Sequence, residues 1–210
     1  IAIVQFEGFL EQIKAMLTTS KELTQLIHSV RWRIKDPVHL KSQLIRKANE
    51  AKMRGDKFDI ITDNLYEKVN DLVGFRILHL YTDQMENINN VLLELFMEYK
   101  FPIVEGPKAR TWDDESREYF NKIGIETQES LSLYTSVHYI IEANRKTRYT
   151  CEIQVRTLME EVWGEVNHSI NYPVESKNIS CREQIKALAR LTSGCTRLVD
   201  SIFKTYELSK

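Results

Sequence analysis

The sequence predicts a single α/β (α+β) domain with helical extensions at both ends. Leu72 to Leu80 is a near-continuous apolar run of strand length, the pattern of a buried core strand. Tyr149 to Val155 alternates instead. Tyr149, Cys151, Ile153 and Val155 point one way, and Thr150, Glu152, Gln154 and Arg156 the other. Around these strands, apolar residues recur at helical spacing through much of the rest of the chain.

Taken in order, Phe6, Phe9, Leu10, Ile13, Leu17, Leu23, Leu26, Ile27 and Val30 predict one or two helices. Arg33-Ile34-Lys35 reads as a short extended piece with both basic groups on one side. Asp36 then suits an N-cap and Pro37 the first helical position. That helix runs through Leu40, Leu44, Ala48 and Ala51 to a stop at Gly55. Lys57 to Asn70 carries a short helix or turn, and Gln84 to Tyr99 is a strongly apolar helix after the core strand. Phe101 to Val104 is a short strand, whereas Glu105 to Leu133 lacks a pattern and is expected to be an irregular binding loop or lid. Val137 to Glu142 and Tyr149 to Val155 form a hairpin around Asn144-Arg145-Lys146.

Thr157 and Glu160 make a capping box, so a helix opens directly after the second hairpin strand. Leu158, Val162, Val166 and Ile170 form its apolar stripe with Met159 and Trp163 beside it, while Glu161, Gly164, Glu165 and His168 share the opposite side. Tyr172-Pro173 breaks the chain, and Cys181 to Tyr206 closes it as one long helix.

Composition narrows the function classes. With 210 residues, 42% hydrophobic, the chain buries a core within one domain. A formal net charge of -1 argues against a dedicated electrostatic nucleic-acid binder. Cys151, Cys181 and Cys195 are odd in number and lack C-x-x-C spacing, which disfavours a disulfide scaffold or zinc site and fits a reducing cytoplasm. No apolar run spans a bilayer and no signal peptide is visible. Ile1 in place of a Met leads us to expect a natural start further upstream.

Three constellations carry chemistry. Asp71 and Glu152 stand at strand positions in apolar surroundings. Carboxylates on neighbouring strands supply the hard oxygens that Mg²⁺ needs, with substrate phosphates and water completing the octahedron; isolated acids are otherwise ordinary surface residues. Arg33, Lys35, Arg46 and Arg76 form a basic set. Arg76 lies inside the core strand, where its charge requires a carboxylate partner or a bound anion. Tyr134-Thr135-Ser136-Val137-His138 places an aromatic at the end of the unpatterned segment, either as packing or as a stacking platform for a nucleobase.

Together these residues carry a resemblance to the RelA/SpoT family of (p)ppGpp synthetases over roughly residues 30 to 172. The matching stretches are Arg33-Ile34-Lys35-Asp36-Pro37, Asp71 to Arg76, Tyr134 to His138, and Glu152-Ile153-Gln154-Val155-Arg156-Thr157 followed by Trp163-Gly164-Glu165 and His168. The resemblance implies a nucleotidyltransferase-like mixed β-sheet flanked by helices, forming one synthetase domain over 1–210 with helical extensions at 1–29 and 175–210. It implies a cytoplasmic pyrophosphokinase that moves the β,γ-diphosphate of ATP to the ribose 3′-hydroxyl of GDP or GTP. By the resemblance, Asp71 and Glu152 are catalytic and ligate Mg²⁺, and Arg33, Lys35, Arg46 and Arg76 bind ATP. Tyr134, His138, Gln154, Arg156 and His168 then serve the acceptor nucleotide. It also implies a homo-oligomer joined through the terminal helices, with no membrane partner.

The chain departs from the family at three places. His39 and Gln43 occupy positions where the family usually has serine and lysine. Ser130-Leu131-Ser132-Leu133 replaces a Lys-x-Asn-Gly segment before the stacking tyrosine, leaving the acceptor open. No His-Asp pair of the family's hydrolase domain is present, so synthesis without degradation is expected. Two other readings stand beside this one: the same transfer onto an adenine nucleotide or the 3′ end of tRNA, and a non-catalytic nucleotide-binding module.

Overall fold

The computed structural model describes residues 2–130, 132–143, 148–172 and 174–209. Helices α1 (Ala2–Thr19) and α2 (Lys21–Leu26) precede edge strand β1 (Ser29–Ile34), which takes in Val30. Asp36 caps α3 (Pro37–Arg54) by accepting the Val38 N–H at 2.8 Å, and Gly55 ends it at φ 77°. A short 3₁₀ turn (Thr62–Asn64) and α4 (Leu65–Lys68) lead into β2 (Val73–His79). Then follow α5 (Gln84–Glu98), β3 (Ile103–Thr111), α6 (Asp114–Lys122), β4 (Glu126–Glu129), β5 (Ser136–Glu142) and β6 (Thr150–Thr157). Helices α7 (Leu158–Asn171) and α8 (Ile179–Leu208) complete the chain.

The strands form one mixed sheet in the order β1-β2-β6-β5-β3-β4, with β2/β6 and β3/β4 parallel and the remaining pairs antiparallel. Its two faces differ in chemistry because strand side chains alternate. Phe75, Ile77, Tyr139, Ile141, Ile153 and Val155 share the buried face with Phe9, Ile13 and Leu17 of α1 and Ile88, Leu92 and Phe96 of α5. Each such side chain contributes about 1.5–3 kcal/mol on burial. The opposite face carries the charged residues and meets Glu161 of α7.

Two expectations fail on the sheet. Glu105 to Leu133 is not a loop but supplies most of β3, all of α6 and β4. Gly106-Pro107 falls in a register shift between Glu105 and Lys108, after which the strand resumes. Gly106 has φ 93°, and a Cβ there would overlap the His138 carbonyl of the neighbouring strand, so the breaker residues mark a bulge rather than an end. On α7 the buried residues are Glu160, Glu161 and Trp163, while Val162 and Ile170 of the expected apolar stripe are exposed. The helix faces a polar sheet surface, so it buries its carboxylates.

The capping box is also half formed. Thr157 Oγ1 accepts the Glu160 N–H at 3.3 Å, but the Glu160 carboxylate accepts the Thr135 N–H instead. The hairpin strands pair antiparallel as expected, whereas the turn at Asn144-Arg145-Lys146, Leu131 and Pro173 lie outside the described residues. No helix among the described residues is long and apolar enough to cross a membrane.

Candidate active site

Strand register assembles the site. Arg31, Arg76, Gln154, His138 and Lys108 are consecutive partners across β1, β2, β6, β5 and β3, giving one polar row over five strands. The next row runs Arg33, Gly74, Glu152 and Ile140. Gly74 has no side chain, so the space between Arg33 and Glu152 stays open. It forms a cavity of about 150 Å³ lined by Asp71, Gly74, Arg33, Arg76, Glu152 and Gln154.

Glu152 is held from both sides. His138 Nδ1 lies 2.9 Å from Oε1, and Gln154 Nε2 donates to Oε2 at 2.9 Å. Burial alone would raise its pKa, but the His138 and Gln154 hydrogen bonds, with the His138 and Arg110 charges, bring the carboxyl down to about 2. Glu152 is therefore ionised throughout the neutral range. Behind it, half-buried Tyr134 accepts from Ser136 at 2.5 Å and stands 3.3 Å from His138 Nε2. Its ring lies under the Arg156 guanidinium (5.5 Å) and 6.2 Å from Trp163. Burial pushes the Tyr134 phenol up against the opposing pull of Arg156 and Ser136, leaving it protonated.

Arg76, the charge inside the core strand, finds Glu161 at 3.2 Å and also bonds Glu165. Burial would lower its pKa, and the two carboxylates outweigh that and raise it. Glu161 also pairs with Arg156 at 3.0 Å and Arg31 at 3.6 Å. Arg156 is 4% exposed, and a Cβ on Gly164 would stand 2.6 Å from its Nη1. A side chain at 164 would therefore have to displace the Arg156 guanidinium, which fills the space beside α7.

A second cavity of about 350 Å³ adjoins the first through Arg33 and Asp71, and is lined also by Lys35, His39, Gln43, Arg46, His168 and Tyr172. Lys35 bonds Asp71 and donates to Gln43 Oε1 at 2.8 Å, while Gln43 Nε2 donates to Asp71 Oδ1 at 3.1 Å. Gln43 therefore bridges the cation and the carboxylate. His168 stacks on Tyr172 with ring centres 4.6 Å apart, and His39 meets Tyr172 edge-on at 4.8 Å. Burial and the Arg33 charge lower the His168 pKa. Exposed Arg46 reaches Glu50 at 3.8 Å.

The cavities thus gather Asp71, Glu152, Arg33, Lys35, Arg46, Arg76, Gln154 and His168, with His138 and Arg156 reaching them through Glu152 and Gln154. Asp71 and Glu152 share one cavity, but the described residues contain no group of three acids, histidines or cysteines arranged for a metal. The donor set fits Mg²⁺, which takes one or two carboxylates and completes its shell with phosphate oxygens and water.

The chain's residues 32–177 match the family described as the region found in RelA / SpoT proteins. This chain belongs to the RelA/SpoT family. No curated protein matches it significantly. Its fold is similar to that of small alarmone synthetase 1 from Bacillus subtilis, at 20% identity and a TM-score of 0.69 over 98% of this chain and 95% of that one. A GTP pyrophosphokinase family protein from Streptococcus pneumoniae gives 18% identity and a TM-score of 0.67 over 99% and 91%.

Within this RelA/SpoT domain, Lys108 and Arg110 also reach the polar side of the sheet, opposite His138 and Ser136. Sequence reading missed both because Gly106-Pro107 disguised the strand. The polar–apolar alternation in Lys108-Ala109-Arg110 was the available signal.

Proposed function

We propose that the protein is a pyrophosphokinase that transfers the β,γ-diphosphate of ATP to the ribose 3′-hydroxyl of GDP or GTP. The observation that carries this reading is an ionised Glu152 lining one cavity with Asp71, Arg33 and Arg76. Solved forms of the B. subtilis synthetase bound to its product pppGpp and to AMPCPP support nucleotide occupants for this fold.

In this reading Arg33 and Arg76 hold the adenine end, and Lys35 and Arg46 meet the phosphates. Tyr134 and His138 serve the acceptor. The acceptor 3′-oxygen forms a bond to the β-phosphorus and its proton passes to Glu152. The bond from that phosphorus to the α,β-bridging oxygen breaks, and AMP leaves with the electron pair. Asp71 and Glu152 would hold Mg²⁺, which supplies charge neutralisation on the phosphates. Lys35 is bonded to Asp71, so for Asp71 to hold the ion the ammonium would have to be released, leaving it free to meet the triphosphate.

The test is incubation of the protein and Mg²⁺ with γ-labelled ATP and, separately, GDP, GTP, ADP and tRNA. Label on GDP or GTP is expected. Label confined to ADP or tRNA, or on nothing, refutes the reading. Self-association through the terminal helices belongs to the same proposal: α8 exposes Leu191, Leu198 and Ile202, and a monomer in light scattering would refute it.

A further inference from the structure

Ser136 and His138 stand two residues apart on β5 and so share the polar face. Ser136 Oγ lies 2.6 Å from His138 Nε2, and His138 Nδ1 lies 2.9 Å from Glu152 Oε1 on β6. Hydroxyl, imidazole and carboxylate follow one another as in a nucleophile–base–orienter triad. Here the order of access is reversed. Ser136 is 2% exposed and capped by the Tyr134 hydroxyl, whereas Glu152 is the member that lines the cavity. Ser136 is therefore not placed to attack a substrate; it is the buried anchor of the chain.

An imidazole can turn over about its ring bond, exchanging nitrogen for carbon at each contact. Only one orientation puts Nδ1 on Glu152 and Nε2 on Ser136. A buried ring nitrogen left without a partner costs about 1–3 kcal/mol, so Ser136 selects that orientation by giving Nε2 its closest partner. Gln154 fixes the other carboxylate oxygen. The aim of Glu152 thus runs back to a buried side chain outside its cavity.

We propose that Ser136 is a positioning residue for the transfer step, holding His138 so that Glu152 faces the acceptor hydroxyl. The proposal rests on the pyrophosphokinase reading. It links acceptor and base physically: Tyr134 bonds Ser136, Ser136 contacts His138, and His138 contacts Glu152. An acceptor base seated against Tyr134 is thereby coupled to the carboxylate that takes its proton.

The experiment compares Ser136→Ala with Ser136→Thr, which keeps the hydroxyl and suits a strand. Loss of a group that aligns a general base is expected to lower kcat about 10-fold to 100-fold, with KM for both substrates held within about twofold. Ser136→Thr recovers most of that rate. The ¹⁵N spectrum of imidazole-labelled protein gives an independent reading: the His138 Nε2 signal moves in Ser136→Ala and stays in Ser136→Thr. A rise in KM with unchanged kcat, equal losses in both variants, or an unmoved His138 signal overturns the proposal. So does labelling of Ser136 by a fluorophosphonate, which requires an accessible nucleophile. If the wild type turns over no acceptor, the pyrophosphokinase reading falls, while the His138 spectrum still decides whether Ser136 holds that ring.

Discussion

Replacing Glu160 by Gln should stabilise the protein, and by an amount that grows with pH. Glu160 is 5% exposed and accepts the Thr135 N–H at 3.3 Å. Burial pushes its carboxyl up to about 7 and Asp113 adds to that, while the Thr135 N–H and Arg156 oppose it. In the unfolded chain the group titrates near the ordinary glutamate value of 4.5. Below that pH both states hold the proton and folding carries no penalty. As pH rises through 4.5 the unfolded state releases its proton first, so stability falls, and above 7 the full penalty is present. At about 1.4 kcal/mol per pKa unit, this costs under about 1 kcal/mol at pH 5 and about 3 kcal/mol at pH 8. Glutamine carries no charge and its amide oxygen accepts the same N–H. Urea melts of Glu160→Gln and wild type should therefore nearly coincide at pH 5 and separate by about 2–3 kcal/mol at pH 8. A difference that is independent of pH, or a less stable variant at pH 8, would refute the burial argument.

Gly164→Ala should cost about 1–3 kcal/mol, because its methyl meets an Arg156 guanidinium held by Glu161 and Gln154; an unchanged urea midpoint would show that Arg156 yields freely. Glu152→Gln should lower transfer at least about 100-fold while ATP binding by calorimetry persists, and near-normal turnover would remove Glu152 from the mechanism. With the Glu152 pKa depressed to about 2, this carboxylate stays ionised from neutral pH down to about pH 3. A wild-type rate profile governed by a base titrating near pH 6 would contradict that assignment. Gln43→Lys adds an ammonium beside Asp71 and Lys35 and should lower KM for ATP with kcat held; an unmoved KM would place the triphosphate away from α3.

Much of the fold was legible where one physical signal dominated. The apolar run of β2, the alternation of β6 and the Asp36–Gly55 bounds of α3 all follow from local chemistry. The segment after Val104 was not, because Gly106 and Pro107 signal a break, and only the adjacent β5 backbone reveals a bulge within a strand. The α7 stripe failed for a related reason. Val162 and Ile170 have helical spacing, but which side of a helix is buried depends on the surface it meets.

The candidate site divides the same way. The residue types and the strand face that carries them follow from the sequence: Glu152, Gln154 and Arg156 must share a side because the pleat has period two. The sequence also placed Glu161, Gly164 and Glu165 on one side of the following helix. Their partners come from the fold. Register across five strands brought Arg76, Gln154, His138 and Lys108 into one row, and helix α7 brought Glu161 onto three arginines. Except for Arg156–Glu161, which is local, those contacts join segments well separated in the sequence, so no local pattern encodes them. They exist because buried charges are stable only when the rest of the chain supplies their counterparts.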